Sequence, residues 1–165
     1  MKLFRFFAVI GCFVFMCSCA ASLKPAVVTR NAPMDDYRYV YITPTSGLTS
    51  GSGSVYGGSN GVYGLTQNKS VNPSDIISGH LIRKGFVIVP EINTEQAAQT
   101  LIVNYGESGR RNVFWGYTIE ITLQFLSAQT REIVCVSTAE GFGDTEADDI
   151  RIAIGRALEE VFTMV

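Results

Sequence analysis

The clearest regularity in the chain is an alternation of apolar and polar positions over residues 115–126. Tyr117, Ile119, Ile121, Leu123 and Phe125 fall on one side of it, and Thr118, Glu120, Thr122 and Gln124 on the other. A strand with one face buried and the other solvated requires this period of two. Residues 127–130 read as a turn and 131–138 as the returning strand of a hairpin. Residues 101–105 are almost wholly apolar and predict a strand in the middle of a sheet. Residues 37–43, rich in tyrosine and β-branched side chains and stopped by Pro44, predict a further strand. Residues 86–89, stopped by Pro90, predict a short one.

Two segments change period. Asn72-Pro73-Ser74-Asp75 is a helix start: Asn caps, Pro suits the first turn, and Asp complements the dipole. Ile76, Ile77 and Leu81 mark its buried face, and Gly85 supplies the left-handed stop. Thr145-Glu146-Ala147-Asp148 is a capping box with Asp in place of Glu, followed by Ile150, Ile154, Ala157, Leu158 and Val161 at helical spacing. Residues 94–99 predict one or two helical turns. The expected fold is α+β: a two-layer sandwich with a mixed, mostly antiparallel sheet of about five strands and two main helices on one face.

The amino-terminal stretch belongs to another class. Lys2 and Arg5 precede an uncharged apolar run over residues 6–16, and Met16-Cys17-Ser18-Cys19 follows. Basic residues, apolar core, then small residue is the order of a secretory signal peptide, and the run is shorter than the roughly 20 residues of a spanning helix. A small residue directly before Cys19 resembles the lipobox of bacterial lipoproteins. That resemblance implies that Cys19 is acylated and becomes the first mature residue, with the membrane as a partner through the lipid. Ala20 in the next position, on the sorting rule of enteric bacteria, implies the periplasmic face of the outer membrane. Cys12 also follows a small residue, but only residues 6–10 precede it as an apolar core, too few for a signal sequence.

On this reading residues 1–18 are the signal peptide, 19–36 the lipidated cysteine and a tether, and 37–165 a single domain. Removing 18 of 165 residues leaves 147, enough for a core of its own. Cys135 is then the last cysteine, so packing alone must hold the domain together. Taking Lys2 and Arg5 from 13 basic residues leaves 11 against 15 acidic ones, a net charge of −4, with no long run of one sign. That argues against a nucleic-acid partner.

The order of elements resembles that of small envelope lipoproteins of unassigned function in Gram-negative bacteria. The residues that carry it are the strand ending at Pro44, Lys84-Gly85-Phe86-Val87, Leu101-Ile102-Val103-Asn104-Tyr105, the hairpin over 117–138 and the closing helix. Their domain is similar to the amino-terminal domain of the Tol translocation protein and to lipoprotein activators of peptidoglycan synthases. The resemblance implies a role in envelope protein contacts and carries over no functional residue.

Residues 46–70 form a glycine- and serine-rich insertion with Tyr56 and Tyr63 on either side of Gly57-Gly58-Ser59-Asn60, a pattern able to close as a loose hairpin. Tyrosine among glycines suits an adaptable recognition surface, so Tyr56 and Tyr63 are the candidate partner-binding residues. The insertion lacks the lysine placement and immediate helix of a phosphate-binding loop. His80 is the single histidine and has no second ligand for zinc. Asp144, Glu146, Asp148 and Asp149 cluster at a helix start, where capping accounts for them. Arg110-Arg111 reads as a solvated pair beside a turn. No cofactor is expected. Two functions remain: a non-catalytic binding or scaffold domain for another envelope protein or glycan, and a periplasmic hydrolase using carboxylates such as Asp144 and Asp148 with His80.

Overall fold

A computed structural model describes residues 22–44, 52–58, 61–67, 72–114 and 116–163. Its main sheet consists of β1 (Val27–Arg30), β2 (Tyr39–Ile42), β5 (Val87–Ile88), β6 (Thr100–Val113), β7 (Gly116–Ser127) and β8 (Ile133–Gly141). The spatial order is β1-β8-β7-β6-β2-β5. β1, β8, β7 and β6 pair antiparallel, whereas β6-β2 and β2-β5 are parallel. Two helices, α1 (Pro73–Arg83) and α2 (Glu146–Thr163), cover one face. The α+β expectation therefore holds, with six strands in the main sheet.

The period-two reading of β7 matches its burial from Ile119 to Phe125, but Thr118, expected on the solvated side, is fully buried and donates to the Arg111 carbonyl at 3.4 Å. Ile119, Ile121, Leu123 and Phe125 are fully buried in one cluster with Ile77 and Leu81 of α1 and Ile150, Ile154, Ala157, Leu158 and Val161 of α2. Thr122 and Gln124 are half-buried on the other face, where the Thr122 and Thr138 hydroxyls share a hydrogen bond of 2.8 Å. Asn72 caps α1 by accepting from the Ser74 amide, and Gly85 turns the chain at φ +92°. Thr145 caps α2: its hydroxyl accepts from the Asp148 amide and donates to the Asp148 carboxylate at 2.7 Å.

Two expectations need correction. Residues 19–36 are not wholly a tether, because Val27–Arg30 is the edge strand of the sheet, paired with β8 from Val27↔Thr138 to Arg30↔Cys135. Val28 packs on the core, and Arg30 donates to the Val161 carbonyl at the end of α2, at 2.6 Å. A four-residue run between Pro25 and Pro33 is too short to display a period, and its partner lies over a hundred positions away. The second correction concerns Arg110 and Arg111, which are strand residues paired with Glu107, Glu146 and Glu140 and not a merely solvated pair. β6 continues to Val113 through an irregularity between Glu107 and Gly109. Ser108 has no register partner on β7, as in a bulge.

The insertion contains a separate two-stranded hairpin, β3 (Ser52–Gly58) and β4 (Gly61–Gln67). Its register sets Tyr56 opposite Tyr63.

Candidate functional site

The densest polar construction among the described residues sits at one end of the sheet, where β6, β8, α2 and the incoming amino-terminal chain converge. Glu140 is its centre and is 2 % exposed. Arg111 donates to both carboxylate oxygens, at 2.8 and 2.6 Å. The Lys24 amide donates to the same carboxylate at 3.0 Å, and its ammonium lies 3.4 Å away. Bidentate charged hydrogen bonds of this kind are the strong ones. Chiefly through Arg111, they hold the Glu140 carboxyl down at about 2.

The same groups fix the backbone that leads in from the amino terminus. Arg111 also donates to the Ser22 carbonyl at 3.1 Å. Arg156 of α2 bridges the Glu140 carbonyl at 2.5 Å and the Lys24 carbonyl at 2.7 Å. Three side chains from three elements thus tie down the chain from Ser22 onward. Beside them, Arg110 bonds both Glu107 oxygens and Glu146, and stacks 5.0 Å over the Tyr117 ring. These hydrogen bonds raise the Arg110 pKa further. Phe114 stands at the tip of the β6–β7 hairpin, 89 % exposed.

Cys19 lies outside the described residues, three positions before Ser22. Tyr56 and Tyr63 are register partners in the β3–β4 hairpin. The proposed hydrolytic groups are not brought together. His80, on α1, faces Gly155 of α2, and its pKa is lowered first by burial and then by Arg83. Asp148 enters α2 seven residues before Gly155, roughly 10 Å along the helix axis. It is bonded there to Thr145 and Arg151. Asp144 is exposed in the preceding loop. Asp149 is 5 % exposed and accepts from the Gly143 amide; its pKa is raised, with burial the largest cause. Among the described residues no group of three or more His, Cys, Asp or Glu is placed to hold a metal ion.

At the opposite end of the sheet, by the β7–β8 turn, an open cleft of about 570 Å³ is lined by Asn31, Tyr37, Arg131 and Glu132 among others. Sequence reading found neither this cleft nor the Glu140 clamp. The clamp residues are 29 and 116 positions apart, and no local spacing signals such a pair.

No protein-family model matches the chain, and no curated protein matches it. Among solved structures, the chain is similar to a dodecameric point variant of PelC from Paraburkholderia phytofirmans. The identity is 11 %, the TM-score 0.44, and the match covers 83 % of this chain and 96 % of that one. A second PelC dodecamer from the same organism gives 10 % identity, a TM-score of 0.43, and coverage of 81 % and 94 %. A likeness this distant assigns no function.

Proposed function

We propose that this chain is a membrane-anchored envelope lipoprotein whose α+β domain acts as a non-catalytic binding or scaffold module for another envelope component, protein or glycan. The observation that carries the reading is the clamp on the amino-terminal chain. Ser22 and Lys24 are held by Arg111, Glu140 and Arg156, so the domain is gripped within three residues of the lipobox cysteine. An arrangement of that kind suits a protein attached at Cys19. The hydrolytic alternative gains no support, since His80, Asp144 and Asp148 stand apart.

Within this reading Cys19 carries the lipid, Ala20 directs the protein to the periplasmic face of the outer membrane, and the β3–β4 hairpin with Tyr56 and Tyr63 contacts the partner. Two acyl chains on one residue give stable attachment, where one chain is marginal. Metabolic labelling with palmitate tests the anchor: the wild-type chain takes up label and Cys19→Ala does not. Label at Cys12, or none, overturns it. Crosslinking in intact envelopes tests the hairpin. Deletion of residues 50–64 leaves thermal stability nearly unchanged and abolishes capture of the partner, whereas retained capture moves the contact elsewhere.

A further inference from the structure

Where the anchored end meets the bilayer depends on the bond from Arg111 to the Ser22 carbonyl. Cys19 lies three residues before Ser22, and Phe114 three residues after Arg111. Three extended residues span about 10 Å at most. The lipid attachment point therefore lies within about 10 Å of the Ser22 backbone and the β6–β7 tip within about 10 Å of the Arg111 backbone, and the Arg111 side chain links the two. Because the chain is clamped from Ser22 onward, little slack remains to lift the domain off the surface that holds the lipid.

Phe114 also differs from the other exposed apolar residues. Val27 and Val87 lie on edge strands, Ile133 at the start of β8 and Ile82 on a helix, at 40 to 62 % exposure, whereas Phe114 is 89 % exposed on a hairpin turn. Scattered surface apolar residues are ordinary, but an aromatic ring at a projecting tip beside a lipid attachment point matches the aromatic side chains that settle at membrane–water interfaces. The charges behind it do not form a basic patch. Arg110 is neutralised by Glu107 and Glu146, and Arg111 and Lys24 share Glu140.

We infer that the β6–β7 tip, through Phe114, is a second membrane contact that inserts into the lipid interface next to the anchor and fixes the tilt of the domain. The inference rests on the lipid-anchor reading. Insertion is driven by apolar burial and not by attraction to anionic headgroups. The end bearing the Asn31–Arg131 cleft consequently points away from the bilayer. The lipid supplies attachment; the tip supplies orientation.

The chain contains a single tryptophan, Trp115, adjoining Phe114, which provides an intrinsic reporter. The acylated full-length protein, purified from membranes, is reconstituted into phosphatidylethanolamine–phosphatidylglycerol vesicles with or without brominated acyl chains. Brominated lipid is expected to reduce tryptophan emission about twofold, as for an indole at the interface. The reduction should survive replacement of phosphatidylglycerol by phosphatidylcholine and addition of salt. Phe114→Asp should abolish quenching while the protein still sediments with vesicles and keeps its far-ultraviolet spectrum. Absence of quenching in the wild type, or equal quenching in Phe114→Asp, overturns the tip contact. Quenching that vanishes in salt replaces it with an electrostatic one. Palmitate labelling of the same preparation decides the anchor separately, so labelled but unquenched protein sinks the tip alone.

Discussion

Arg111 of β6 and Glu140 of β8 grip each other through two hydrogen bonds at one end of the sheet, with one partner 37 % exposed and the other 2 % exposed. That asymmetry makes the pair a clamp. The arginine meets the outside of the fold, where it also reaches the Ser22 carbonyl, while the buried carboxylate receives the Lys24 amide. Glu140 is tolerable in its place because its oxygens are hydrogen-bonded; an unpaired buried carboxylate would not be.

The clamp is expected to weaken in acid. The Glu140 carboxyl falls from its ordinary 4.5 to about 2 in the fold. A depressed acid contributes stability above its unfolded pKa and loses it as pH falls through the folded one. Thermal midpoints measured by circular dichroism should therefore decline between about pH 4.5 and pH 2, with amide exchange rising first at Lys24, whose N–H the carboxylate holds. Glu140→Gln should flatten that decline and cost about 1 to 3 kcal/mol at neutral pH. An unchanged acid limb in the variant would exclude Glu140 as its source.

His80 should act at higher pH. Its folded pKa lies below 6.5, from burial first, then the charge of Arg83, with Glu159 partly opposing. The fold thus disfavours the protonated ring, so stability drops as pH falls below 6.5. His80→Gln should remove that shallow limb and leave the Glu140 limb intact. A titration followed by imidazole proton resonances checks the direction independently.

The two faces of β7 should respond differently to truncation. Ile121→Ala or Leu123→Ala opens a cavity among fully buried side chains and should cost roughly 2 to 5 kcal/mol in urea unfolding. Thr122→Ala and Gln124→Ala, on the half-buried face, should each cost about 1 kcal/mol or less. Comparable losses on both faces would mean that another layer covers the open side.

Gly141 should be the least replaceable glycine of the sheet. A Cβ there would run into the Asp149 carbonyl and sit 2.7 Å from the Ala153 amide nitrogen, so α2 approaches β8 only because position 141 has no side chain. Gly141→Ala should lower the melting temperature steeply or prevent folding. Gly106→Ala, with nothing within 4 Å, serves as the control and should be nearly neutral.

Asp149 is expected to tolerate one replacement and not another. It accepts from the Gly143 amide inside the fold. Asp149→Asn preserves an acceptor without the buried charge and should unfold close to wild type. Asp149→Ala leaves that amide without its partner and should cost about 1 to 3 kcal/mol. Equal losses in a urea titration would shift the explanation from the hydrogen bond to the shape of the side chain.

The amino-acid order by itself determined the parts whose causes are local. The alternation at Ile119, Ile121, Leu123 and Phe125 specified a one-sided strand. Asn72 with Pro73, and Thr145 with Asp148, specified where the helices begin. Gly85 specified where α1 stops. In each case the cause and its consequence are within a few residues, and a period or a cap expresses it. The pattern before Cys19 on which the proposed anchor rests is local in the same sense. Tertiary structure alone decided the rest. Val27–Arg30 is a strand only because β8 offers an open edge to its four residues, and short segments take their conformation from the partner they meet. Arg111 became part of a clamp because β6 carries it past a bulge to Glu140, 29 positions on. Ser22 shares an end of the molecule with Phe114 because Arg111, three residues before the β6–β7 tip, holds its carbonyl. Pairing of this kind depends on which groups the fold sets within hydrogen-bonding reach, and a linear pattern holds no record of that distance.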